Sequence, residues 1–212
     1  MSSNEVSGKN FWRWLWLAIF FAVLVWSSIE PKDRLTWWLE VSPALIGLLL
    51  MVITRKNFPL TPLLYLLILV HSVILMVGGH YTYAEVPLFD RLAEFFGHQR
   101  NNFDKLGHLV QGFVPAIIAR EVLLRNQVVA KRGWLNIIVI SLCLAFSAFY
   151  ELIEWWGAIL MGTDAEAFLG TQGYIWDTQS DMWMALIGAI AALVILSAPH
   201  SRQMQERGYL SR

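Results

Sequence analysis

A chain of 212 residues with 57% hydrophobic residues, 11 Trp and 12 Phe, and only 15% charged residues carries more apolar surface than one soluble core of this length needs. Its 16 basic and 16 acidic residues cancel to a formal net charge of zero, which argues against a nucleic-acid partner and leaves the sign of any substrate open. The single cysteine, Cys143, lies in an apolar run, has no partner for an internal disulfide, and reads as a small buried residue. The composition predicts an all-α, polytopic membrane protein forming a single membrane domain over residues 1–212.

Crossing the ~30 Å hydrocarbon layer at 1.5 Å per residue takes about 20 residues. That length picks out six segments, 11–29, 37–54, 60–79, 103–120, 134–158 and 176–197. The first follows a polar stretch, 1–10, and lacks a small-residue cleavage pattern, so it reads as an uncleaved anchor. In the second, the apolar core VSPALIGLLLMVI needs the preceding TWWLE to reach across, and an interfacial or re-entrant segment is the alternative. The third holds His71, read either as bonded to a neighbouring helix near Ser72 or as part of a polar path. After it, Leu88, Leu92, Phe95 and Phe96 recur at helical intervals, predicting a short amphipathic helix in the outer interface. His80 and His98 fall in this loop, where solvation is the default.

The fourth segment, FDKLGHLVQGFVPAIIA, carries Asp, Lys, His and Gln, so its polar face must turn from lipid. Between the fifth and sixth, Gly162, Gly170 and Gly173 stand among polar residues in a stretch suited to act as a lid. Residues 198–212, with His200, read as a basic cytoplasmic tail.

Charge sets the expected orientation. With the N-terminus inside, the cytoplasmic stretches hold Lys9, Arg13, Arg55, Lys56, Arg120, Arg125, Lys131, Arg132, Arg202, Arg207 and Arg212. The other five basic residues lie outside, so the positive-inside rule predicts both termini in the cytoplasm.

Charged side chains inside a bilayer mark function by default. Under this topology Asp104, His108, Glu151, Glu154, Asp177 and Asp181 all lie toward the extracytoplasmic surface. Helical spacing puts Asp104, His108 and Gln111 on one face, Ser147, Glu151 and Glu154 on a second, and Asp177 and Asp181 on a third. Helical rise separates an upper layer of Asp104, Glu154 and Asp177 from a lower layer of His108, Glu151 and Asp181.

Several occupants fit that lower layer. One imidazole with two carboxylates suits Zn²⁺, Mn²⁺ or Fe²⁺, and all-oxygen ligation suits Mg²⁺ or Ca²⁺. The expected ligands are His108, Glu151 and Asp181, with Asp177 nearby, while Glu154 or Asp104 handles the proton. Lys105, Gln111, Gln172, Gln179 and Trp176 are the candidates for holding a substrate. Without metal, the same groups form a proton relay, a polar pocket for a small ligand or cation, or a hydrogen-bonded network locking three helices together. No nucleotide-type Gly-rich loop and no Gly-x-Ser-x-Gly elbow occurs, which weighs against ATP-driven work and an ordinary serine hydrolase. The halves of the chain show no internal repeat, which weakens a transporter built from paired repeats.

FDKLGHLVQGFVPAIIAREVLLR, SAFYELIEWW, FLGTQGYIWDTQSDMWMALIGA and IEPKDRLTWWLE together resemble the YjdF-type bacterial inner-membrane proteins, a family defined by a domain of unknown function. The resemblance covers almost the whole chain and implies a multi-pass inner-membrane protein. Asp104, Lys105 and His108 are also distantly similar to the Asp-Lys-x-x-His run of VanZ-like membrane proteins. Glu151 or Glu154, and Asp177 or Asp181, would correspond to that family's later acids. The pattern departs where VanZ-like chains favour Glu-x-x-Gln and this chain has Glu151 and Glu154. VanZ-like proteins are associated with tolerance to lipoglycopeptide antibiotics, so this second resemblance implies chemistry on a lipid or lipid-linked envelope precursor at the outer leaflet.

Overall fold

A computed structural model of the protein describes residues 3–161 and 171–210. Among the described residues the chain is wholly helical: α1 (Ser3–Ser28), α2 (Arg34–Thr54), α3 (Pro62–Tyr81), α4 (Pro87–Phe96), α5 (Phe103–Arg125), α6 (Leu135–Met161) and α7 (Asp177–Glu206), with one 3-10 turn at Arg132–Trp134. All but α4 are long and apolar enough to cross a membrane. Trp14, Leu49, Phe146 and Val194 are 57–78% exposed, the outward apolar surface that lipid covers.

The uncertain second segment is a continuous 21-residue helix, about 31 Å long, and not a re-entrant loop. Asp33 starts it, its Oδ1 accepting the Thr36 N–H at 2.6 Å, and that bond holds the Asp33 carboxyl below its ordinary range. The predicted interfacial helix is α4, opened by Pro87 and closed by Gly97 at φ 69°. None of its side chains is buried, and Phe95 is 81% exposed, so its apolar face is left for the membrane interface.

Two apolar clusters organise the helices. Phe20, Trp37, Val41, Ala44, Leu69 and Met76 join α1, α2 and α3. Leu64, Ala116, Ile117, Val139, Cys143, Ala189 and Ala192 join α3, α5, α6 and α7. The tightest pairing is α5 with α7, because a side chain at Gly112 would collide with the Ala185 backbone and one at Gly188 with the Leu109 backbone. Small residues here let two backbones touch.

The sixth segment does not stop at 197; α7 continues through Pro199 to Glu206, so most of the expected tail is helix. His200 is consequently fully buried instead of lying in a solvated tail. Arg120 Nη1 lies 2.8 Å from His200 Nδ1. A guanidinium only donates, so Nδ1 accepts and the ring is the Nε2–H tautomer. Nε2–H then donates to Glu121 Oε2 at 2.9 Å. The same oxygen accepts from the Thr61 hydroxyl at 2.8 Å, and Arg125 donates to Glu121 Oε1 at 2.8 Å. Arg125 is itself stacked between the rings of Phe58 and Tyr209, 3.5 and 3.9 Å from their centroids. Arg120 Nη2 donates to Ser201 Oγ at 2.7 Å. The ends of α5 and α7 and the start of α3 are thus tied by a saturated polar network.

His80 also departs from expectation. It is half-buried, donates through Nδ1 to Ser27 O at 3.1 Å, and packs on Trp26, joining α3 to α1. His98 is exposed, as expected of the loop. Ser72 Oγ turns back within its own helix, donating to Ile68 O at 2.8 Å.

Candidate functional site

At the other end of the bundle α5 and α7 begin side by side. Asp104 and Asp177 sit in their first turns, where unpaired helix N–H groups favour acids. Two cations bind these acids together. Arg100 Nη2 lies 2.6 Å from Asp177 Oδ1 and 3.3 Å from Asp104 Oδ2. Lys105 Nζ lies 2.5 Å from both Asp177 Oδ1 and Asp181 Oδ1, and 3.5 Å from Asp104 Oδ2. The ring of Tyr174 borders both, 5.5 Å from the guanidinium carbon and 5.8 Å from the ammonium.

His108 follows one turn below Asp104. Its Nδ1 is 2.8 Å from Gln111 Oε1, which can only accept, so Nδ1 carries the proton of that bond. Nε2 is thereby turned toward Asp104 Oδ1 at 3.4 Å. One ligand atom from each of Asp104, His108 and Asp181 lies within 4.8 Å of the others. An imidazole oriented by a second hydrogen bond and set against two carboxylates is the usual build of a metal-ligating histidine.

The layers expected from helical rise are redistributed. Asp104 reaches the level of His108 and joins Asp181 there, whereas Asp177 turns to Arg100 and Lys105. Glu151 stands across from His108, its Oε1 3.9 Å from Nδ1. That buried oxygen and the buried hydroxyl of Ser147 have no hydrogen-bond partner among the described residues. Glu154 is buried on the same face of α6. Gln111 serves His108. Gln172 instead clasps the backbone of Asn101, accepting from its N–H at 3.0 Å and donating to its carbonyl at 2.9 Å. Gln179 and Trp176 are exposed at the start of α7 and frame the cluster from outside. The lid expected around Gly162 and Gly170 lies outside the described residues; Gly173 is exposed.

Further residues complete the site. Glu40 of α2 is buried and accepts the Tyr150 hydroxyl at 2.9 Å, and the Tyr150 ring meets His108 edge-on at 6.3 Å. Tyr83 closes this side. Thr82 and Tyr83 both adopt left-handed backbone, φ 60° and 54°, a strained turn that returns the phenol ring to the bundle. The ring fills the space a side chain would need at Gly78 and Gly107. Burial, then the charges of Glu40, Asp104 and Glu154, push its phenol well above the usual range. Asn101 ties the surroundings together, donating to Val86 O at 3.0 Å and to Asp90 Oδ1 at 2.7 Å while its own Oδ1 accepts the Phe103 N–H at 3.1 Å. Arg100 adds a bond to Thr171 O at 2.8 Å. An isolated Glu inside a span was a readable signal for Glu40; the loop residues Arg100 and Asn101 gave none.

Six helices long and apolar enough to span a bilayer, with an acid–histidine cluster near one end, define a multi-pass membrane protein that carries a buried polar cluster. Residues 12–202 match the family described as "Predicted membrane protein (DUF2238)", and the chain belongs to that family. It is similar to "Inner membrane protein YjdF" of Escherichia coli (strain K12), 49% identical over 189 residues that cover 89% of this chain and 90% of that protein. The YjdF-type resemblance and the multi-pass inner-membrane location are thereby borne out. No solved structure matches the chain. The VanZ-like resemblance rests on the Asp104, Lys105 and His108 run and the later acids alone.

Proposed function

We propose that this protein is a divalent-cation-dependent membrane enzyme acting on a lipid or lipid-linked envelope substrate, with the acid–histidine cluster open to the periplasm and both termini in the cytoplasm. The observation that carries the reading is the convergence of Asp104, His108 and Asp181 within 4.8 Å. Charge supports it. Among the described residues, Glu40, Asp104, Glu151, Glu154, Asp177 and Asp181 share this region with Arg100, Lys105 and His108 as counterions, and buried carboxylates in excess of cations favour a bound cation.

Mixed nitrogen and oxygen donors suit Zn²⁺, Mn²⁺ or Fe²⁺, with Mg²⁺ if oxygen dominates. Such an ion supplies polarisation of a phosphoryl or carbonyl oxygen and a more acidic water. Gln111 orients the His108 ring, Arg100 and Lys105 hold Asp177, and the proton would pass through Glu151 or Glu154. No nucleotide enters this scheme. The exposed face of α4 and the lipid-facing helices give an amphipathic substrate a way in from the bilayer.

Metal analysis of the purified protein, with His108→Ala and Asp181→Asn beside it, tests the cation. Stoichiometric metal lost in both variants is expected, and negligible metal in all three sinks the reading. The enzyme assignment fails if the variants lose metal but keep a wild-type lipid profile and envelope phenotype. Topology is checked by single-cysteine labelling at positions 98 and 131, expected from outside and inside respectively.

A non-enzymatic reading, a small-cation binding or assembly protein, draws on Lys105, which already gives Asp177 and Asp181 a bound ammonium. Transport is opposed by the apolar packing of Ala116, Ile117, Val139, Cys143, Ala189 and Ala192 toward the far end. Cation flux in proteoliposomes that vanished with Glu151→Gln would reverse that preference.

A further inference from the structure

We propose that Lys105 is a tethered competitor that selects divalent over monovalent ions at this site; the proposal rests on the cation reading above. Two observations meet on one carboxylate. Asp181 belongs to the group that converges with Asp104 and His108, and it also holds Lys105 Nζ at 2.5 Å. The ammonium lies against three acids at once, Asp177, Asp181 and Asp104. An ion taking Asp181 therefore competes with an existing cation for the charge of that carboxylate.

That exchange treats ions unequally. A monovalent ion that takes Asp181 from the ammonium replaces one positive charge by another and gives up a 2.5 Å charge-assisted hydrogen bond, so it gains no electrostatic energy. A divalent ion brings an additional positive charge among surplus acids, and attraction scales with that charge. Unused acceptors also remain on α6. Ser147 Oγ and Glu151 Oε1 are buried and without a hydrogen-bond partner among the described residues, and Glu151 Oε1 lies 3.9 Å from the His108 ring. Ser147 is 0% and Glu151 8% exposed, so bulk water does not satisfy them. The released ammonium keeps a place near Tyr174, whose ring already lies 5.8 Å away.

The test measures Mn²⁺ binding to the full-length protein in nanodiscs, with sodium chloride or choline chloride at equal ionic strength. Wild type is expected to bind Mn²⁺ equally in both salts. Lys105→Met, which keeps length and removes charge, is expected to bind Mn²⁺ about tenfold more tightly or better in choline and to lose affinity when sodium replaces it. Lys105→Arg keeps the charge and is expected at or below wild-type affinity. A second measurement needs no substitution: acetylation of Lys105 by acetic anhydride, followed by mass spectrometry, should accelerate when Mn²⁺ is added to wild type. The proposal is overturned if folded Lys105→Met binds Mn²⁺ no better than wild type, or if Lys105 acetylation is indifferent to saturating Mn²⁺. Those results leave the cation site standing, whereas no Mn²⁺ binding by any of these proteins brings down the site and the proposal together.

Discussion

Glu121 and His200 at one end of the α5–α7 pair, and Asp104, His108 and Asp181 at the other, are built from the same residue types and lead opposite lives. Around Glu121 both carboxylate oxygens are bonded, the His200 tautomer is fixed from both sides, and two arginines are engaged. Around His108, acids outnumber cations and two buried polar atoms have no hydrogen-bond partner among the described residues. A saturated network lowers the free energy of one arrangement, while an unsaturated one is held in place by its surroundings and stays available to a ligand. Saturation, more than burial or charge, separates a structural latch from a candidate site.

The sharpest way to break this contrast is at the latch. Glu121→Ala removes the acceptor shared by the buried His200 imidazole, the Thr61 hydroxyl and Arg125, an expected loss of about 3–5 kcal/mol, read as a large fall in thermal midpoint of the detergent-solubilised protein. A small effect there would erase the distinction. Gly188→Val probes what couples the ends: it forces α7 off the Leu109 backbone, and an overpacking loss of about 1–3 kcal/mol is expected together with weaker Mn²⁺ binding at the distant cluster. His108→Ala should lose metal while costing only about 1 kcal/mol, whereas His200→Ala should do the reverse, retaining metal in whatever fraction remains folded. Paired melting curves and metal analyses compare the two histidines directly.

The smallest expected effect lies outside both ends. Asp33→Ala removes the cap of α2, worth about 1 kcal/mol. Because the Thr36 N–H holds the Asp33 carboxyl below its ordinary range, this contribution is present above the unfolded value, about pH 4. It is lost as pH falls through the lower folded value, so the gap between wild type and variant should close in acid.

How much was legible in the sequence follows the range of the forces involved. Spans are set by a local quantity, apolar length, and six segments became six helices; α4 was visible through its own periodicity. Charged residues inside spans announced themselves singly, which is why Asp104, His108, Glu151, Glu154, Asp177 and Asp181 could be picked out. Their grouping could not be read the same way, because helical rise gives depth but not the direction a side chain takes, and Asp104 reaches down where Asp177 does not. Glu40 was spent on making a short apolar core long enough. His200 was lost because the apolar run ends before the helix does, and the acid that buries it lies 79 residues away.

Lys105 and its partner Asp177 are 72 residues apart. At about 5–20 residues per second, synthesis of that interval takes roughly 4–14 s, during which α5 has left the ribosome and α7 has not. For those seconds the least apolar of the six spans carries its charges without the acids of α7. The Asp104–Lys105 and Asp104–His108 contacts within α5 are therefore also a provision for birth: they let this helix wait, near neutral, for the last helix to arrive.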